Sequence, residues 1–307
     1  MIDMVEGLER GDRLDGLVEL QVNGAGGFDL TNDPESVWQV GTALRRFGVS
    51  AFLPTLVSAS FETIDRARAA WTAGPPPGFA GAQPLGWHVE GPFIAPSRHG
   101  AHDPASLRAP DLGVVADWTP RTGIRLVTLA PELPGALDLV TTLVANGVVV
   151  SAGHSAATFE QANAGFDAGI RFVTHLFNAM APLDHRNPGL AGAALADDRV
   201  TIGLIPDGLH VHPAVVGLVR RMVGPERLAV VSDAIGALGM PPGRYRLAKQ
   251  DVTYDGESAR LDDGGLAGCV IGLDEAVRNL AAFARVPLAD AALAATTVPR
   301  RLLGVDA

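Results

Sequence analysis

Ionisable side chains recur at the ends of apolar runs in this chain. Glu90 follows Gly86-Trp87-His88-Val89, and His154 follows Val148-Val149-Val150-Ser151-Ala152. His175 follows Arg171-Phe172-Val173-Thr174, Asp207 and His210 follow Val200 to Ile205, and Asp233 follows Leu228-Ala229-Val230-Val231-Ser232. One carboxylate and two imidazoles, Glu90, His154 and His175, form a donor set that can hold a divalent ion and leave a position open for water. An ion there would acidify that water and polarise a carbonyl. A further carboxylate, Asp233, can take the proton and return it to a leaving group. The chemistry implied is metal-assisted hydrolysis of an amide or a related bond. Nitrogen and oxygen ligands suit zinc and iron alike, so zinc, iron or another divalent ion, one per chain, is the expected cofactor.

These residues converge only if the runs are neighbouring strands. Most of the runs are continuously apolar, as parallel strands buried on both faces require. The strands are predicted over Leu17–Val22, Val49–Leu56, Pro84–Val89, Ile124–Ala130, Val148–Ala152, Arg171–Thr174, Val200–Ile205 and Leu228–Val231. The helical stretches between several of them, of about a dozen residues, are the crossovers that parallel pairing needs. Eight such units in about 220 residues fit an α/β fold of the (β/α)8 barrel type, whose active sites form where the strand C-termini meet. A doubly wound open sheet is the alternative. Its usual mark is weak, because Asn23-Gly24-Ala25-Gly26-Gly27 is neither a dinucleotide fingerprint nor a phosphate loop. After the eighth strand, Tyr245 to Asp262 is predicted as a small hairpin excursion. Helices over Leu273–Ala284 and Leu288–Leu303 are expected to close the wall and cover the base.

Composition narrows the function. The chain has 307 residues, 24 basic against 34 acidic, and a net charge of -10. Lys249 is the only lysine and the arginines are scattered, which argues against a nucleic-acid partner. The lone Cys269 excludes an intramolecular disulfide framework and a cysteine-cluster metal site. No apolar run reaches eighteen residues, and the first fifteen residues do not form a signal peptide. A cytoplasmic protein without a membrane partner is expected.

The motifs resemble those of the N-acetylglucosamine-6-phosphate deacetylases of the amidohydrolase superfamily. They are Leu20-Gln21-Val22-Asn23-Gly24, Phe52-Leu53-Pro54-Thr55-Leu56, His88-Val89-Glu90-Gly91-Pro92-Phe93, Gly100-Ala101-His102, Ala152-Gly153-His154-Ser155 and Thr174-His175-Leu176-Phe177-Asn178-Ala179-Met180. Pro188-Gly189-Leu190-Ala191-Gly192, Asp207-Gly208-Leu209-His210-Val211, Ser232-Asp233-Ala234 and Leu266-Ala267-Gly268 follow in family order. The resemblance implies metal ligands Glu90, His154 and His175, a catalytic Asp233, and His102 on the substrate carbonyl. It implies a sugar-phosphate set of Asn178 and Ala179 backbone groups with His210. Arg186 would sit on the phosphate, often in the neighbouring subunit's site, which calls for a homodimer. The small-molecule substrate it implies is N-acetyl-D-glucosamine 6-phosphate, cleaved to glucosamine 6-phosphate and acetate. Another N-acyl amino sugar, or a degenerate barrel that only binds sugar phosphate, remains the alternative. Many superfamily relatives carry His-x-His at the end of the first strand; Gln21-Val22-Asn23 here speaks for one metal. His99, His185 and His212 are left open between site and surface.

Two departures accompany the resemblance. Family members usually build a small β-sandwich from strands before and after the barrel. This chain reaches its first predicted strand at Leu17 and ends at Ala307. The expectation is residues 1–16 as a short leading segment and 17–307 as a barrel without the sandwich, with a fragment of a longer product as the other reading. Glu19 also stands where an aspartate is common, and Cys269 where a small hydroxyl residue is.

Overall fold

The computed structural model describes residues 14–305, so the first thirteen residues of the leading segment lie outside the described residues. Eight parallel strands run in chain order around one sheet: β1 (Leu17–Val22), β2 (Val49–Val57), β3 (Trp87–Glu90), β4 (Ile124–Leu129), β5 (Val149–Ala152), β6 (Phe172–Val173), β7 (Thr201–Leu204) and β8 (Leu228–Val230). Each pairs with the next, from Leu17 opposite Val49 to Ile202 opposite Leu228. The sheet closes just beyond β8. There Asp233 N–H donates to the Gln21 carbonyl (3.0 Å), and Asn23 N–H donates to the Ala234 carbonyl (2.7 Å). Lower in the seam, the buried Glu19 carboxyl accepts from the backbone N–H groups of Gln21 (3.1 Å) and Ser232 (3.0 Å). Burial pushes that carboxyl up to about 8. The barrel is of the expected (β/α)8 type.

Helices alternate with the strands: α1 (Val37–Leu44), α2 (Phe61–Thr72), α3 (Leu112–Val115), α4 (Ala136–Ala145), α5 (Phe159–Ala168), α6 (Gly189–Ala196) and α7 (Pro213–Val223). Their starts follow from capping: Ser60 accepts from Thr63 N–H, and Thr158 and Gln161 form a reciprocal box. Val40, Leu44, Leu139, Leu143 and Val216 turn inward onto outward-facing strand residues such as Phe52, Leu56 and Val127, forming the main core.

The lumen has its own core. Leu53, Leu126 and Phe172 pack inside the barrel with Leu20 and Ala229, and Val298 and Leu303 join them. Side chains alternate along a strand, so the next inward residues lie two positions on. These are Thr55, Thr128 and Thr174, all fully buried. The lumen therefore changes from apolar to polar in one two-residue step toward the strand C-termini.

Three local expectations are refined. The third strand starts at Trp87, because Gly86 at φ 116° breaks the run; Gln83–Pro84 pairs separately with β2. The excursion is a three-stranded antiparallel sheet, β9 (Gly243–Leu247), β10 (Gln250–Tyr254) and β11 (Ala259–Leu261). After α8 (Leu273–Ala284), the last helical stretch divides into α9 (Leu288–Ala292), a short 3-10 turn and α10 (Thr297–Leu303), interrupted at Thr296, whose φ, ψ of -128°, -74° are not helical. Among the described residues no helix is long and apolar enough to cross a membrane.

Candidate functional site

Each strand hands its last polar residue to one face. Glu90 ends β3, His154 lies two residues beyond β5, His175 two beyond β6, and Asp233 three beyond β8. The chain turns sharply there: His154, His175 and Asp233 are non-glycine residues at φ 48°, 30° and 52°. Such conformations are sparsely populated and cluster at functional sites. Gly153 admits the His154 turn, since a Cβ there would lie 2.6 Å from Thr174 Cγ2 and 2.9 Å from Thr128 Cγ2.

Glu90, His154 and His175 are buried, and their ligand atoms converge. Glu90 Oε1 lies 3.2 Å from His154 Nε2 and 3.0 Å from His175 Nε2, and the two imidazole nitrogens are 3.1 Å apart. A tetrahedral face with metal–ligand bonds near 2.0 Å has edges of about 3.3 Å, so this triangle fits a divalent ion. His154 Nδ1–H donates to the Arg98 carbonyl (3.0 Å), which leaves Nε2 as the bare ligand nitrogen. Burial opposes charge on Glu90, but the surrounding imidazoles of His102, His154 and His175 hold its carboxyl well below the ordinary range.

Two amides stand between the carboxylates. Gln21 Nε2 donates to Glu90 Oε1 (2.8 Å) and to Asp233 Oδ1 (3.2 Å), while its Oε1 accepts from the Thr174 hydroxyl. Asn23 Nδ2 donates to the same Asp233 oxygen (2.7 Å). Amide N–H groups thus occupy the place where a His-x-His pair would offer lone pairs, in keeping with a single ion. Burial and the Glu90 charge raise Asp233 to about 6, so that it can change protonation state near neutral pH.

His102 comes in on the loop after β3. Its Nδ1 lies 2.7 Å from Ser58 Oγ, and its Nε2 lies 3.7 Å from Glu90 Oε2. Burial and neighbouring His154 push it down to about 4, so it is neutral near pH 7. His210 is held by Asp207: its Nδ1–H donates to Asp207 Oδ2 (2.6 Å). Asp207 also accepts the N–H groups of Leu209 and His210.

Every site residue expected from the sequence except Arg186 lines one cavity of about 350 Å³. Arg186 is exposed, and the hydrogen bond recorded for it runs from its backbone N–H to Asp184. The open histidines also find places. His99 bonds the His102 carbonyl, His185 is exposed beside Asp184, and His212 caps α7 by accepting from Ala214 N–H. His88 is structural: its Nδ1 donates to the Leu20 carbonyl (3.2 Å) and its Nε2 accepts from Thr128 Oγ1 (2.7 Å).

Sequence reasoning missed Ser58 and the wall supplied by Leu247, Leu261 and Asp263 of the excursion. Ser58 sits directly after the β2 run, the same signal that marked the other residues. The excursion carries no such signal.

No family model matches the chain. Comparison with known proteins does find relatives. The chain is 39% identical over 292 residues to an N-acetylgalactosamine-6-phosphate deacetylase of Escherichia coli O157:H7, covering 94% of this chain and 77% of the relative. It is 35% identical over 282 residues to an N-acetylglucosamine-6-phosphate deacetylase of Lysinibacillus sphaericus, covering 91% and 73%. Among solved structures, a variant N-acetyl-D-glucosamine-6-phosphate deacetylase of Mycobacterium smegmatis, in complex with N-acetyl-D-glucosamine-6-phosphate, superposes with a TM-score of 0.88 at 35% identity. That match covers 96% of this chain and 78% of the other.

Proposed function

The chain belongs to the N-acetylglucosamine-6-phosphate deacetylase family of the amidohydrolase superfamily, and from that membership we propose that it hydrolyses the acetamido group of an N-acetylamino sugar 6-phosphate. N-Acetyl-D-glucosamine 6-phosphate is the first substrate, giving glucosamine 6-phosphate and acetate. The galacto epimer is the second, favoured by the 39% identity to the Escherichia coli relative. The observation that carries the reading is the buried Glu90, His154 and His175 triangle beside Asp233 in one cavity.

A divalent ion held by Glu90, His154 and His175, zinc in our assignment, would supply Lewis acidity that makes water a nucleophile and polarises the acetamido carbonyl. Asp233 takes a proton from the attacking water and later delivers it to the nitrogen as the C–N bond breaks. Gln21 and Asn23 aim the Asp233 carboxylate by donating to its Oδ1. His102 donates to the oxygen of the carbonyl as negative charge builds there. His210 and the backbone of Asn178 and Ala179 bind the sugar phosphate, and Arg186 reaches the phosphate in the neighbouring subunit of a homodimer. Its planar guanidinium suits bidentate pairing with phosphate oxygens. Residues 17–307 act as one hydrolase unit, in the cytoplasm.

Acetate release from both 6-phosphate epimers, with metal content determined on the same sample, tests this reading. Turnover at about one ion per chain is expected. A folded, metal-loaded protein that releases no acetate from either epimer overturns it.

A further inference from the structure

Ser58 is held in an unusual way for a residue with no assigned role. It is a non-glycine residue at φ 38° and is 5% exposed. Its N–H donates to the Glu90 carbonyl (2.8 Å), tying the end of β2 to the end of β3. Its Oγ lies 2.7 Å from His102 Nδ1, the hydrogen-bond partner recorded for that hydroxyl. The neighbouring strand end is kept bare to admit it: a Cβ on Gly91 would lie 2.5 Å from Ser58 Oγ. A strained backbone, a buried hydroxyl and an obligatory glycine thus serve one hydrogen bond to one imidazole.

That bond has two forms, because a neutral imidazole carries one proton. In one form Nδ1–H donates to Ser58 Oγ. That form leaves the proton of the buried Ser58 hydroxyl with no acceptor among the described residues, and the bare Nε2 faces Glu90 Oε2 at 3.7 Å, lone pair against carboxylate. In the other form the Ser58 hydroxyl donates to Nδ1, and Nε2 carries the hydrogen. Only the second places a donor toward the carboxylate and the cavity that His102 lines.

We propose that Ser58 is a positioning residue that fixes His102 in its Nε2–H tautomer, so that this N–H is the donor presented to the substrate carbonyl oxygen. The inference rests on the deacetylase reading for its consequence in catalysis. Ser58 acts through His102 and does not touch the substrate. Its effect falls on the step in which charge develops, hence on kcat and not on KM.

Ser58→Gly is the test. Glycine adopts φ 38° without strain, so the variant removes the hydroxyl while keeping the turn. Metal content and thermal melting check that it does. Nitrogen-15 spectra of the histidine rings, with His102 assigned by comparison with His102→Gln, report the tautomer without any turnover. The expected result is a His102 ring shifted from Nε2–H toward a mixture. We also expect a kcat lower by about tenfold or more and a KM within about twofold of the parent. An unchanged His102 tautomer, or an unchanged kcat, overturns the proposal. A parent protein without deacetylase activity would defeat the functional reading, while the ring spectra would still decide what Ser58 does to His102.

Discussion

The lower and upper halves of the barrel lumen sit two residues apart on the same strands and obey opposite rules. Leu53, Leu126 and Phe172 fill the lower half with apolar volume, closed from beneath by Val298 and Leu303. One inward position further, Thr55, Thr128 and Thr174 begin a hydrogen-bonded layer that carries Gln21, Glu90 and Asp233. The lower half is regular strand. The upper rim is where His154, His175, Ala179, Asp233 and Ser58 take positive φ. Apolar packing below holds in place a rim that is strained and charged, as expected when a site needs conformations its own residues disfavour. The difference teaches that stability and chemistry are separated along the strand axis, so substitutions in the two layers should fail in different ways.

The largest effect is expected at the rim. Asp233→Asn removes the proton acceptor and should lower kcat by about 10²–10⁴-fold, with metal content and melting temperature near those of the parent. Steady-state kinetics beside metal analysis checks this. A variant retaining its full rate would remove Asp233 from the mechanism. Stripping the ion with a chelator should likewise abolish turnover, and restoring the divalent ion should recover it; activity that survives verified metal loss would break the assignment of the triangle.

Below the rim, Leu126→Ala should cost about 2–5 kcal/mol of stability through the cavity it leaves. It should lower the melting temperature by several degrees while leaving the kcat of the folded fraction nearly unchanged. Should its main effect be on kcat, with melting unaltered, the separation of layers would be wrong.

The pH profile sharpens the same contrast. Burial and the Glu90 charge raise Asp233 to about 6, and the base must be ionised to accept a proton. Activity should therefore be present above pH 6 and fall as pH drops through it, by about tenfold per unit on the acid side. Asp233→Asn should flatten that limb in its residual rate. Persistence of the limb in the variant would assign it to another group.

The smallest expected effect lies outside both layers. Arg186→Ala should lower kcat/KM on the 6-phosphate sugar by about tenfold or more, with no comparable loss on the unphosphorylated sugar. Equal losses on the two substrates would exclude a phosphate contact. Sedimentation at assay concentration tests the dimer that this contact requires.

Much of this molecule is legible along the chain. Apolar runs, most of them continuous, reveal all eight barrel strands, because strands buried on both faces show little of the polar alternation of a half-exposed sheet. Glu90, His154, His175 and Asp233 are legible for the same reason: each is the polar residue at which a run ends, and those ends must meet. The interruption at Thr296 has a local mark that the single-helix reading of Leu288 to Leu303 passes over: Pro299 cannot sit in a helix interior, so a new helix must begin just before it. The third strand of the excursion was not legible, since its polar sequence has few apolar positions to mark it.

Sequence by itself determined the order of the strands and the placing of Glu90, His154, His175 and Asp233 at their ends, through local patterns of burial and polarity. Tertiary structure alone decided the partners. Gln21 bridges Glu90 and Asp233 across 69 and 212 positions of chain, Ser58 meets His102 across 44, and Glu19 takes the N–H of Ser232 across the closing seam. Such pairings depend on strand register and on how the cylinder closes. Hydrogen bonds between side chains remote in sequence are set by that geometry, which no local pattern of residues encodes.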